Sequence, residues 1–238
     1  GCVSYFVEGK SYDLKPYDIV LIRHNDLHKL TVDNSTPYDR IIVYISVNFM
    51  KAYQTDSYDL SYCFRKAEEE HSNVLRIPSP EKSSLFRSIT RLEKSFSDDG
   101  YAADLFRQVL FLEFMIHLNR AAQKDRLEFI DTDNCNSKIL DILQYINDNL
   151  NGKLDIDSLA EHFYISKYYM MRLFKQETGY TLGQYTSQKR LLLAKERILS
   201  GIPGTQVYFD CGFKDYSTFS RAYRKFFGES PRDTLSLT

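Results

Sequence analysis

Arg172 and Arg221 stand 49 residues apart, and the same residue types recur around them at that interval: Lys175 with Arg224, Phe174 with Tyr223, Met170 with Phe219, and Gly179 with Gly228. Guanidinium and ammonium groups at neutral pH donate hydrogen bonds to anions. They reach phosphate oxygens and the acceptor edge of guanine. Residues for other chemistry are sparse. Cys2, Cys63, Cys135 and Cys211 are scattered without a CxxC pair or an evident base partner, and no GxGxxG, Walker loop, GxSxG or HExxH occurs. Catalysis is therefore not indicated. His24 and His28, four apart across a turn with Asp26 between them, offer donors for a metal, a polar pocket or a capped turn.

The repeated residues need helices to position them. Each copy reads as a short helix, a tight turn and a longer helix, the helix-turn-helix plan in which apolar positions join the pair and the other face enters the major groove. In the first copy Met170, Leu173 and Phe174 face inward, leaving Lys167, Tyr168, Met171, Arg172 and Lys175 outward. In the second, Phe219, Ala222, Tyr223 and Phe226 face inward, leaving Tyr216, Ser217, Ser220, Arg221, Arg224 and Lys225 outward. A helix of about 19 residues, roughly 28 Å long, joins them, close to the ~34 Å rise of one DNA turn. The alternative is a structural α-bundle with solvated Arg and Lys, and two copies with a basic bias favour the DNA reading.

The remaining helical half follows the same period. Ile139, Ile142, Leu143 and Ile146 mark a first helix; Asp155, with Asp157, starts a second; Ser166 caps the next, which Gly179 stops. Gly201, Pro203 and Gly204 precede two further helices, the last stopped by Gly228. The N-terminal half differs. The runs SYFVEG, KSYDL, DIVLIR, KLTVD and RIIVYISVNF, separated by turn residues at roughly ten-residue spacing, predict antiparallel strands of a sandwich or barrel. Two helices follow, over 80–97 and 102–122. The second is apolar on well over one face and needs contacts on two sides, either barrel and neighbouring helix or a second subunit. The polar stretch 123–136 reads as a linker.

Composition agrees with two ordinary domains in 238 residues, 43% hydrophobic and 26% charged, which argues against a disordered chain. The net charge of −1 conceals opposite halves. Residues 1–133 hold 17 Lys and Arg against 21 Asp and Glu, whereas from Tyr164 onward 12 basic residues face 6 acidic ones. No run approaches ~18 apolar residues and no signal peptide is evident, so no membrane segment is expected. The scattered cysteines suit a reducing cytoplasm. The first residue is Gly, so a natural N-terminus upstream is expected.

With these residues in place, positions 137–236 resemble the AraC/XylS-type DNA-binding domain. Its strongest signature is the second copy, GFKDYSTFSRAYRKFFGESP from Gly212 to Pro231; ISKYYMMRLFKQETG, Arg190 and Ala194 also match. One departure is Tyr208, where the family usually carries a small Ala; a ring there is expected to tilt the short helix. The N-terminal half resembles that family's cupin-like sensor and dimerisation domain through LKPYDIVLIRHNDLHKL, with Tyr17 where Gly is usual, and through PYDRIIVYISVNF. The resemblance implies barrel strands before the start of this sequence. It also implies a polar effector, for which Tyr5, Tyr12, Arg23, His24, His28, Tyr38 and Tyr44 suit a carbohydrate, unless the tyrosines are ordinary strand residues. A cupin metal strand has two His one residue apart and then a Glu, a pattern absent here, so neither metal nor cofactor is expected.

The expected fold class is α+β. Residues 1–122 form a cupin-like barrel, incomplete at its start, with two dimerisation-type helices; 123–136 link it to an all-α domain over 137–238 of about seven helices with two helix-turn-helix units. The expected function is sequence-specific transcription regulation by a homodimer joined through helices 80–97 and 102–122. Its partners are a double-stranded operator, a small-molecule effector and, for an activator, RNA polymerase. The rival is a metal-dependent cupin enzyme with a helical interaction domain.

Overall fold

The computed structural model describes residues 3–33, 37–124, 127–132 and 136–234. Cys2 and Cys135 lie outside the described residues. Strands β1 (Val3–Val7) and β2 (Lys10–Leu14) flank a two-residue turn in which Glu8 (φ 44°) and Gly9 (φ 91°) both take positive φ, the backbone that suits the twist of a tight hairpin. With β4 (His28–Val32) they form a three-stranded sheet in the order β2-β1-β4. A second sheet has the order β3-β5-β6, from Ile19–Val20, Val74–Arg76 and Glu128–Phe129. Here β5 runs antiparallel to both neighbours, with Leu75 opposite Ile19 and Phe129. Before β3, Tyr17 holds a left-handed backbone (φ 69°), which explains why glycine suits that place; its ring packs edge-on against Phe86 at 4.8 Å.

Several sequence expectations are corrected. RIIVYISVNF forms no strand: residues 40–46 carry no regular structure, and helix α1 (Val47–Ala52) begins after Ser46, whose hydroxyl accepts from Phe49 N. Ile41, Ile42, Val43 and Tyr44 stay exposed because no strand among the described residues pairs with them, and β-propensity alone does not hold a strand. The described strands make two small sheets rather than a closed barrel. Within 123–136, Leu127 is buried and Glu128–Phe129 make β6, so part of the expected linker completes a sheet. The helix expected over 80–97 is shorter: a 3-10 turn covers Pro80–Lys82, and the α-helix starts after Ser83, whose side chain accepts from Leu85 N.

Two compact units divide the chain: Gly1–Ser4, Tyr12–Ile22 and Thr31–Asp133 in one; Tyr5–Ser11, Arg23–Leu30 and Asn134–Thr238 in the other. The first unit is built on α2 (Tyr62–Glu69), α3 (Ser84–Ser95) and α4 (Ala103–Gln123). Its core joins Leu21, Leu75, Leu85, Phe114, Met115 and Leu118. Asn119 is buried yet satisfied: its amide donates to the carbonyls of Leu60 (2.9 Å) and Met115 (2.8 Å), and its Oδ1 accepts from Cys63 N (2.8 Å). Arg76 clasps Asp18 through two bonds of 2.9 and 2.7 Å, tying β5 to the start of β3.

The second unit carries α5 (Ser137–Asp148), α6 (Ile156–His162), α7 (Lys167–Thr178), α8 (Leu182–Leu199), α9 (Gly204–Asp210) and α10 (Tyr216–Phe227). About seven helices were expected; the described residues hold these six after position 136, and after Gly228 a turn closes with Asp233 Oδ2 accepting from Ser230 N. Within this unit the Glu8 carboxylate accepts from Tyr185 Oη (2.8 Å), from Lys189 Nζ (3.1 Å) and from Leu27 N. Lys189, buried on α8, also donates to Asn25 O at 2.8 Å, so its charge is paired and hydrogen-bonded. Burial, with Glu8 adjacent, pushes the Tyr185 phenol above its ordinary value.

Cys63 and Cys211 are free thiols with no exposed surface. Burial pushes Cys63 up to about 12 and Cys211 up to about 11. The thiolate is the reactive form, so neither is expected to be alkylated by iodoacetamide in the native protein at pH 8, and both after unfolding. Peptide mass mapping reads the outcome, and native-state labelling of Cys63 at the rate of a free thiol contradicts this packing.

Candidate nucleic-acid interface

The 49-residue repeat extends to helix caps. Helices α7 and α10 are each 12 residues long. Ser166 caps α7 by accepting from Tyr169 N (3.3 Å), and Asp215 caps α10 by accepting from Thr218 N (2.7 Å). Hydrogen bonds from Thr218 hold the Asp215 carboxyl below its ordinary value. Both helices stop at a glycine of positive φ, Gly179 at 74° and Gly228 at 78°. Asp155 caps α6 in the same manner, and the Ser158 N–H, then its hydroxyl, bring that carboxyl to about 2.

Between the copies runs α8, 18 residues and about 27 Å at 1.5 Å per residue. A capping box starts it, Thr181 and Gln184 each bonding the other's backbone N–H. From its middle, Arg190 donates to Leu150 O (2.8 Å) and Gly152 O (2.7 Å), carbonyls beyond the end of α5. A Cβ on Gly212 would lie 2.6 Å from Leu150 O and 2.8 Å from the Arg190 guanidinium, and φ there is 77°. Only glycine fits this turn, which leads toward the second long helix. The side chain of Tyr208 packs edge-on against Tyr216 at 5.9 Å.

Burial divides each long helix into two faces. In α7, Met170, Leu173 and Phe174 are buried, whereas Lys167, Tyr168, Met171, Arg172 and Lys175 are exposed. In α10, Phe219 and Tyr223 are fully buried and Ser217, Arg221, Arg224 and Lys225 are exposed. Three α10 positions differ from expectation. Phe226, expected inward, is exposed, and Phe227 instead packs at 4.6 Å from Tyr223 beneath the Lys195 ammonium. Tyr216, expected outward, is half-buried against Tyr208 and Phe219, and Ser220 is half-buried. The shift from 226 to 227 follows from the 3.6-residue period, because 223 and 227 lie four apart on one face.

Not every cation on these faces is available. Lys167 is ion-paired to Asp157 at 2.9 Å and Lys175 donates to Gly179 O at 2.7 Å. Arg172 and Arg221 have no ion pair among the described residues. Among the described residues, Arg221 donates along its own helix, to Ser217 O at 3.3 Å. Sequence reasoning missed Lys189 and the carbonyl-clamping role of Arg190, since both act through partners more than 35 residues away.

The seven residues expected around a small ligand are divided between the two units. Tyr12 is buried and its hydroxyl accepts from Asn73 N at 3.0 Å. Tyr38 is half-buried and Tyr44 exposed, both in the first unit. Tyr5, Arg23, His24 and His28 belong to the second unit, where the Tyr5 and His28 rings stack at 6.0 Å and Arg23 pairs with Asp26 at 3.1 Å. His24 Nδ1 shares a hydrogen bond of 2.8 Å with Asn25 Oδ1. No group of three His, Cys, Asp or Glu among the described residues is placed to hold a metal ion.

These elements define a protein whose C-terminal part is a tandem helix-turn-helix domain. A family model described as a helix-turn-helix domain matches residues 159–236, and one described as an AraC-like ligand binding domain matches residues 1–115. Among curated proteins, HTH-type transcriptional activator RhaS from Escherichia coli is 27% identical over 146 residues, which cover 61% of this chain and 51% of RhaS. The chain thus spans about half the length of the curated relatives it matches. Among solved structures, the C-terminal domain of AraT, a response regulator from Geobacillus stearothermophilus, is 27% identical and covers 43% of this chain and 87% of that one, with a TM-score of 0.42. An AraC-type transcriptional regulator from Chromobacterium violaceum, also 27% identical, covers 42% and 90%, with a TM-score of 0.40. The chain belongs to the AraC/XylS family of transcriptional regulators.

Proposed function

We propose that this chain is a sequence-specific DNA-binding regulator that presents the exposed faces of α7 and α10 to the major groove of an operator. The observation that carries the reading is the duplicated helix with matched caps, in which Arg172 and Arg221 occupy equivalent exposed positions without an ion pair among the described residues. Lys and Arg that neutralise phosphates release counterions, so log K must fall linearly with log salt, by about 0.9 per phosphate contact. Fluorescence anisotropy on a duplex selected from random sequences, from 50 to 200 mM salt, is expected to show a steep negative slope. Affinity independent of salt rejects the reading in favour of a helical half that binds protein.

The remaining parts of the proposal concern control. A cupin-like sensor fold and a polar small-molecule effector, of the carbohydrate class that Tyr, His and Arg side chains suit, are supported by the match over residues 1–115. The effector acts by binding two arrangements of the protein with different affinity. Homodimerisation through α3 and α4 is supported by the exposed apolar residues Leu105, Phe106, Val109 and Ile116 on α4. The name of the E. coli relative, a transcriptional activator, supports activation, and for an activator the further partner is RNA polymerase. Cytoplasmic action follows from this role; no helix among the described residues is long and apolar enough to cross a membrane.

A further inference from the structure

In the first unit, one cleft of about 620 Å³ gathers positive charge. Lys82 and Arg87, around the start of α3, face it together with His117, Arg120 and Lys124 from the last turns of α4. None of the described residues that line it is Asp or Glu. This concentration is unexpected in a half of the chain with 17 basic and 21 acidic residues. Four other arginines of the unit are neutralised: Arg65 by Asp59, Arg76 by Asp18, Arg91 by Glu113 and Arg107 by Asp104. Lys82, Arg87, Arg120 and Lys124 have no ion pair among the described residues. Glu113, 4.0 Å from His117, is already engaged by Arg91 through two bonds of 2.8 Å.

Four like charges around one cleft repel one another, and an anion seated between them relieves that repulsion. We propose that this cleft binds a small organic phosphate monoester. A phosphate monoester carries close to two negative charges at neutral pH and three acceptor oxygens, which match two guanidinium and two ammonium groups better than a single carboxylate does. The buried residues Ile77, Leu85 and Leu127 also line the cleft and supply apolar surface suited to the organic part. The volume lies in the ~300–1,000 Å³ range of small-molecule sites. Sugar phosphates and nucleotides share this chemistry. None of the residues lining this cleft is among the seven expected around a polar effector, and the site does not depend on the DNA-binding reading.

The test uses the full chain and phenyl phosphate, with inorganic phosphate and phenol as comparison probes, in calorimetric titrations at constant ionic strength. Saturable binding of one phenyl phosphate per chain is expected, at least tenfold tighter than either comparison probe. Arg120→Gln with Lys124→Gln, both exposed, is expected to weaken it at least tenfold with an unchanged melting temperature. Lys82→Gln with Arg87→Gln removes the two cations contributed from around the start of α3 and is expected to do the same, so the test survives misfolding of either pair. Arg172→Ala with Arg221→Ala is expected to leave it unchanged. Absence of binding, full affinity in both cleft variants, or loss of affinity in the Arg172 and Arg221 variant instead overturns the proposal.

Discussion

Alanine at both Arg172 and Arg221 is expected to weaken operator binding by about a hundredfold to ten-thousandfold, while each single replacement costs about ten- to a hundredfold. A well-placed Arg on a base edge is worth about 1–3 kcal/mol, and 1.4 kcal/mol is a factor of ten. The two sites share no contact, so the losses add. Both side chains are exposed, which leaves the fold intact. Lys167→Ala is expected to cost much less, because its ammonium is already committed to Asp157 at 2.9 Å. Anisotropy titrations at one fixed salt concentration, with melting temperature as the control, decide the matter. Wild-type affinity in both single variants contradicts the assignment of these two faces to DNA.

Truncating the apolar side of the same helices acts on folding instead. Phe174→Ala and Phe219→Ala are each expected to destabilise the helical unit by about 3–5 kcal/mol, the usual cost of emptying a buried aromatic site. Neither ring has exposed surface. Phe174 packs edge-on against Tyr185 at 5.6 Å, and Phe219 lies 5.2 Å from Phe213 and 5.5 Å from Tyr223. With a domain's whole stability at about 5–15 kcal/mol, such losses bring the unit near unfolding at ordinary temperatures. Phe226→Ala, on the exposed side of α10, is expected to cost less than about 1 kcal/mol. Urea unfolding followed by circular dichroism separates these outcomes, and equal stability of the Phe219 and Phe226 variants refutes the observed facing of α10.

The contrast between Phe226 and Phe227 shows where sequence reading stops. Two adjacent aromatic residues at the end of a helix offer the same apolar signal, and only the packing of Phe227 on Tyr223 beneath Lys195 turns one of them toward the core. Two strands of the second sheet, β5 and β6, escaped notice for a related reason, although DIVLIR holds the third, β3. Val74 and Leu75 are both fully buried, so β5 shows no alternation, and Glu128–Phe129 is too short to show any. RIIVYISVNF erred the other way: its composition favours a strand, but pairing requires a neighbour that composition cannot supply.

Local spacing was enough for the duplicated helices, the Ser166 cap and their glycine stops, because caps and amphipathic periods are set within a few residues along the chain. It was also enough to pick out Arg172 and Arg221, whose types and interval mark them wherever the helices go. Folding in three dimensions alone settled which cations remain unpaired, how Arg190 and Gly212 fit one turn, and that five basic groups from the start of α3 and the end of α4 converge on a single cleft. Those outcomes depend on partners tens of residues apart, and electrostatic pairing and steric fit act through space without regard to chain order.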